Sequence, residues 1–103
     1  MGNLGYGFRP THPGELLKEE VEYRKISQSS LAKQMGVPYT ALNDILNERR
    51  PLTAITAILF EAALGISADL LMRMQLKYNM QIVRQDKTLD ERIAKVKQMT
   101  AIF

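Results

Sequence analysis

The sequence predicts an all-α fold: five short helices around one core, with an additional helix at the C-terminal end. Three observations carry this. Apolar residues recur near a 3.6-residue period in one segment after another, and no strict alternation runs long enough to make a strand. Prolines and glycines fall between those segments, at Pro10, Pro13, Gly36, Pro38, Pro51 and Gly65. Hydroxyl residues stand just ahead of several of them, where the first N–H groups of a helix need acceptors.

The elements follow in order. Residues 1–8 hold three glycines and no helical period, and are expected to form a flexible N-terminal arm. Thr11 or His12 can cap a first helix over residues 13–24, which takes Pro13 in its first turn and places Leu16, Leu17, Val21 and Tyr23 near one face. Ser27 caps a second helix with Leu31, Ala32 and Met35 apolar, ended by Gly36. A third runs from about Pro38 to Asn47 with Ala41, Leu42, Ile45 and Leu46 inward, and Pro51 stops it. Thr53 caps a fourth, apolar through Ile55, Ile58, Leu59, Ala62 and Ala63 and ended by Gly65. Ser67 caps a fifth, from Ala68 to near Met80 or beyond. In the tail, Thr88 and Glu91 stand at capping-box spacing ahead of an apolar stripe of Leu89, Ile93, Val96 and Met99. The expected organisation is an arm over residues 1–8, a globular domain over residues 9–80 and a C-terminal helical extension over residues 81–103.

Composition bounds the function. The chain has 103 residues, 46% of them apolar, enough for one domain with a real core. Cysteine is absent, which excludes disulfide scaffolds, thiol nucleophiles and cysteine-based zinc sites. No apolar run approaches the ~18 residues needed to cross a bilayer, and residues 1–8 lack the pattern of a signal peptide, so no membrane partner is expected. Lysine and arginine outnumber acids 14 to 11, a net charge of +3. Alone, that excess says only that polyanions are not repelled.

The decisive stretch is residues 28–50. A short helix, a glycine-containing turn and a second short helix make the helix-turn-helix plan. Ala32 lets the two helices approach, Gly36 makes the turn, Val37 and Leu42 fill the angle between them, and Ile45 anchors the second helix. In this plan the N-terminal end of the second helix enters the DNA major groove. Its outward residues Tyr39, Thr40, Asn43 and Asp44 are the candidates for reading bases. Asparagine can pair bidentately with adenine, threonine can donate, accept or pack on the thymine methyl, and a carboxylate can accept from cytosine. Gln28 and Ser29, at the start of the preceding helix, suit a phosphate. Pro38 and Asn47 flank the reading helix against the DNA backbone, and Arg49 and Arg50 follow it as phosphate clamps. Alternatively, Asp44 holds Arg49 or Arg50 in place, and Asn43 and Asn47 serve as local caps, with Asn47 taking a left-handed position.

These residues resemble the lambda-repressor-like helix-turn-helix regulators, in the pattern Ser27-Gln28-x-x-Leu31-Ala32-x-x-x-Gly36-Val37-x-x-x-x-Leu42-x-x-Ile45-Leu46-Asn47. His12-Pro13-Gly14-Glu15 with Leu17, Leu46-Asn47-x-x-Arg50, Ala63-Leu64-Gly65-Ile66-Ser67-Ala68 and Met74-Gln75-x-x-Tyr78-Asn79 look, more narrowly, like HigA-type antidotes of toxin–antitoxin modules. The resemblance implies a five-helix lambda-repressor-like domain and a cytoplasmic bacterial homodimer. It also implies repression of its own operon at a palindromic operator, and neutralisation of a small RelE-like ribonuclease toxin that cleaves mRNA. One departure stands out: Glu48 occupies a position that is often glycine in the family.

Other classes fare worse. The single histidine, His12, lies beside prolines without a nucleophilic partner, and His12 with Glu15 gives only two ligands, so neither catalysis nor a metal is expected. No phosphate-binding glycine loop follows a strand, and no cofactor is expected. A helix-turn-helix regulator without a toxin partner is the principal alternative. A reading frame for a small basic protein beside the gene would discriminate the two. The dimer contact is expected on the fifth helix and tail, through Leu70, Leu71, Met74, Tyr78, Ile93, Val96 and Met99.

Overall fold

The computed structural model describes residues 10–102, with side chains through residue 100; the expected N-terminal arm lies outside the described residues. Six helices follow one another: α1 (Pro13–Tyr23), α2 (Gln28–Met35), α3 (Tyr39–Leu46), α4 (Ala54–Leu64), α5 (Ala68–Arg84) and α6 (Lys87–Ile102). None of the described residues is in a strand.

Four helices start where the sequence supplies a side-chain acceptor. His12 Nδ1 accepts from the Gly14 N–H at 2.8 Å, and Ser27, Thr53 and Ser67 hydroxyls accept from Ser30, Thr56 and Leu70. Each such cap contributes about 1 kcal/mol. At α6 the start falls two residues earlier than the Thr88–Glu91 spacing suggests. Asp86 Oδ1 accepts from the Thr88 N–H at 2.9 Å, so the carboxylate holds the first turn and Thr88 lies inside it.

The first three helices end alike. At α1 the Lys25 N–H donates to Glu22 and the Ile26 N–H to Val21; at α2 Gly36 donates to Lys33 and Val37 to Ala32; at α3 Glu48 donates to Ile45 and Arg49 to Asp44. This is the Schellman pattern, whose central residue must be left-handed. Lys25, Gly36 and Glu48 take that conformation with φ of 57°, 71° and 63°. Asn47, at φ −101°, does not. The left-handed position thus falls on Glu48 and not on Asn47, and a side chain bears the strain that glycine would avoid.

The core gathers Leu17 and Val21 of α1, Leu31, Ala32 and Met35 of α2, and Leu42, Ile45 and Leu46 of α3. Leu52 and Ala57, Phe60 and Leu64 of α4 join them, with Ala68 and Leu71 of α5. Burying each larger aliphatic or aromatic side chain contributes roughly 1.5–3 kcal/mol. Tyr23 of α1 faces solvent. On α4, apolar nearly all round, periodicity alone could not choose a face. The structure buries Ala57, Phe60 and Leu64 and leaves Ile55 and Ile58 exposed.

The fifth helix continues to Arg84, and only its first half is anchored, through Ala68, Leu71 and Gln75. Its second half and α6 pack on each other and stand away from the core. The radius of gyration is 17.6 Å, against ~13 Å for a compact domain of about 100 residues.

Two tests follow. A Cβ on Gly14 would overlap the Ile45 carbonyl oxygen, whereas one on Gly36 would meet open space and only an unfavourable φ. Gly14→Ala should therefore destabilise by roughly 2–3 kcal/mol and Gly36→Ala by about 1 kcal/mol; urea melts of both variants check the order. The second concerns His12, which burial pushes below the usual imidazole range, against the opposing effects of the Glu48 carboxylate and the Arg50 carbonyl. A depressed folded-state value means that the unfolded chain takes up the proton first. The stability tied to neutral His12 is therefore complete above about pH 6.5 and is lost as pH falls below it. The melting temperature should fall from pH 7.5 to 5.5, and less so in His12→Asn, which keeps a capping acceptor without a titrating ring.

Candidate nucleic-acid interface

The turn between α2 and α3 is built from Gly36, Val37 and Pro38. Gly36 reverses the chain in the left-handed region, Val37 packs against the core, and Pro38 enters α3 with extended ψ and no side-chain cap. The N–H groups of the first turn of α3 therefore have no partner from the capping residue, and a helix N-terminus in that state favours an anion. Ala32 is 3% exposed at the crossing and Leu42 is fully buried in the angle, so both expected packing roles hold. Tyr39 and Thr40, in the first turn of α3, are exposed.

Five of the other candidates, Gln28, Asn43, Asp44, Arg49 and Arg50, form one hydrogen-bonded network. Asn43 Nδ2 donates to Gln28 Oε1 at 3.0 Å, and Arg49 Nη2 donates to Asn43 Oδ1 at 2.8 Å. Arg49 Nε donates to Asp44 Oδ1 at 3.2 Å, and Arg50 Nη2 to Asp44 Oδ2 at 3.4 Å. Of the two roles open to Asp44, the structure places it between the arginines, one on each carboxylate oxygen. Both pairs are well exposed, so each stabilises the fold by less than about 1 kcal/mol. Their effect is on geometry, since two flexible guanidinium groups are oriented on the face that carries Asn43.

Asn43 retains bonding capacity. An amide offers two N–H donors and two acceptor lone pairs, and one of each is used here. The remaining donor and acceptor are what bidentate pairing with adenine requires. Asn47 is tied to the same extent: its Nδ2 donates to the Asn43 carbonyl at 2.9 Å and its Oδ1 accepts from Lys18 Nζ at 3.0 Å. Ser29 is exposed beside Gln28 at the start of α2.

Sequence reasoning missed Lys18. It lies on α1, 29 residues from Asn47, and no local pattern marks it; only the packing of α1 on α3 brings its ammonium to this surface. Lys18, beside Asn47, and Arg49 and Arg50, on Asp44, bring three cations to this end of α3, against the carboxylates of Asp44 and of Glu48, which lines the adjoining cleft with the two arginines. These three cations outnumber the two carboxylates beside them, an excess that suits a phosphate.

Behind this face lies a polar cluster. The buried His12 ring meets Tyr78 edge-on, with centroids 4.9 Å apart. Gln75, only 3% exposed, accepts from the Leu52 N–H at 2.7 Å and donates to Asn79 Oδ1 at 2.8 Å. A cleft of about 220 Å³ separates these side chains from Arg49 and Arg50. Among the described residues, no three His, Asp or Glu side chains converge as metal ligands, and no helix is long and apolar enough to cross a membrane.

The helix-turn-helix family model matches residues 17–71. Virulence-associated protein I of Dichelobacter nodosus is 36% identical over 77 residues, covering 74% of this chain and 71% of its own. An addiction module antidote protein of the HigA family from Coxiella burnetii superposes with a TM-score of 0.73 at 32% identity, over 85% of this chain and 95% of that one. The antitoxin HigA of Pseudomonas aeruginosa, solved with the higBA promoter, gives 0.73 at 31% identity over 82% and 91%. By the family match over residues 17–71 and the likeness to these HigA structures, the chain belongs to the lambda-repressor-like helix-turn-helix family, as a HigA-type antitoxin.

Proposed function

We propose that this protein is a cytoplasmic repressor that binds a palindromic operator as a homodimer. It regulates its own operon and neutralises a RelE-like ribonuclease toxin encoded beside it. The observation that carries the DNA-binding part is the network on the outer face of α3, in which Gln28, Asn43, Asp44, Arg49 and Arg50 are mutually oriented. A HigA relative solved with promoter DNA supports the same reading.

In this reading the first turn of α3 enters the major groove. Tyr39, Thr40 and Asn43 meet base edges, and Asp44 acts by holding the two arginines. Gln28 and Ser29 at the start of α2 take a phosphate, Pro38 and Asn47 abut the backbone, and Arg49 and Arg50 clamp it. Orientation before binding matters because ordering a long charged side chain costs about 0.5–1.5 kcal/mol at the interface.

A single reading head spans only a few base pairs, so two copies are expected on half-sites about 34–36 Å apart. Of the residues expected at the dimer contact, Leu71 closes the monomer's own core and Met74 and Tyr78 are half-buried. Leu70 and the expected tail residues Ile93, Val96 and Met99 are exposed, and the contact is proposed on the projecting arm, where Leu76, Met80 and Val83 of α5 lie exposed as well. Flexible methionines suit such a face.

Two outcomes check the proposal. Asn43→Ala should lose roughly 1–3 kcal/mol on the operator and distinctly less on unrelated duplex; equal losses in a gel shift would remove Asn43 from base reading. A chain truncated before Thr88 should sediment as a monomer at micromolar concentration and bind the full palindrome more weakly. A truncated chain that remains dimeric would place the contact elsewhere.

A further inference from the structure

The segment that carries Arg49 and Arg50 is short and has no regular structure of its own. Its first residues are fixed from α3, since the Glu48 and Arg49 N–H groups donate to the Ile45 and Asp44 carbonyls. Its far end is fixed from elsewhere. The Leu52 N–H donates to Gln75 Oε1, on a helix 23 residues further along the chain. The Arg50 carbonyl faces the His12 ring, whose Nδ1 is occupied by the Gly14 N–H. Gln75 itself is buried, and its remaining amide group is satisfied by Asn79. A buried glutamine in place of an apolar side chain is tolerated only when its hydrogen bonds are made. Here one of them lands on the backbone of the arginine segment.

We propose that Gln75, held by Asn79, is a positioning residue for DNA binding: together with His12 it fixes the path of the backbone over residues 50–52. The guanidinium groups of Arg49 and Arg50 thereby start from one place instead of several. This rests on the reading that those arginines reach phosphates. Gln75 touches no DNA and contributes no charge; it acts through the Leu52 N–H. Without that bond the segment keeps its Schellman anchor at Glu48 and the His12 contact at Arg50 but loses its hold at Leu52, so the arginines spread over more conformations and engage phosphates less fully.

The test is a salt titration of DNA binding by the full chain, on the operator and on an unrelated duplex of equal length. It compares the native protein, Gln75→Met, Asn79→Ala, the double variant Arg49→Ala/Arg50→Ala and that double variant carrying Gln75→Met. Gln75→Met should weaken binding to both duplexes alike by about tenfold and lower the slope of log K against log salt by about 1. Asn79→Ala, at an exposed position, should give a smaller loss of the same kind, and it carries the test should Gln75→Met not fold. On the Arg49→Ala/Arg50→Ala background Gln75→Met should add nothing, because its route to the DNA is gone. A purely structural role predicts a lower melting temperature with affinity and slope unchanged while the variant is folded. That result, or a full additive loss on the double-alanine background, overturns the proposal. An unchanged slope in Arg49→Ala/Arg50→Ala overturns instead the phosphate reading of the arginines.

Discussion

Gly14 lies so close to the carbonyl of Ile45 that no side chain fits between them, and the working face depends on that approach. It seats the first turn of α1 against the last turn of α3. From there His12, two residues earlier, reaches the segment after α3, and Lys18, one turn later, reaches Asn47. A methyl group at Gly14 would force α1 outward and disturb both contacts. The constraint is one of shape, since only a residue without Cβ lets two backbones meet this way, yet its result is electrostatic. It brings the Lys18 ammonium to the end of α3.

The polar network on α3 turns modest interactions into a defined surface. Exposed ion pairs such as Arg49–Asp44 add little to folding stability. Buried polar groups such as Gln75 are costly when left unpaired. The chain uses each where its energetics suit: weak, exposed bonds on the face proposed to meet DNA, where phosphates could compete for the arginines, and buried bonds where the backbone is held. The strain of a left-handed Glu48 sits at the junction between the two.

Much of this was legible in the sequence because it is local. Ser27, Gly36, Thr53, Ser67 and Gly65 announce caps and ends through chemistry that acts within a few residues, and the packing of Ala32 and Leu42 follows from the helix-turn-helix spacing. What was not legible crosses the chain or depends on a choice between faces. Lys18 and Gln75 find partners 29 and 23 residues away. The inward face of α4 could not be read because Ile55 and Ile58 are as apolar as Phe60 and Leu64. The role of Asp44 was legible only as a pair of alternatives, since contact with cytosine and contact with arginine need the same carboxylate. Placing the left-handed residue at Asn47 was an expectation from intrinsic preference; the hydrogen-bond register of the helix end overrode it and put Glu48 there.

The continuity of α5 has a mechanical consequence. A helix of 17 residues is about 25 Å long; here one end is clamped in the core and the other carries the apolar arm. It is a lever. A change of about 5° in its seating moves the far end by about 2 Å over that length, so in the proposed dimer a partner gripping the arm would set the pitch and separation of the two α3 helices with little slack. Tolerance to operator spacing in that dimer would be governed less by α3 than by how stiffly Ala68, Leu71 and Gln75 hold the fulcrum.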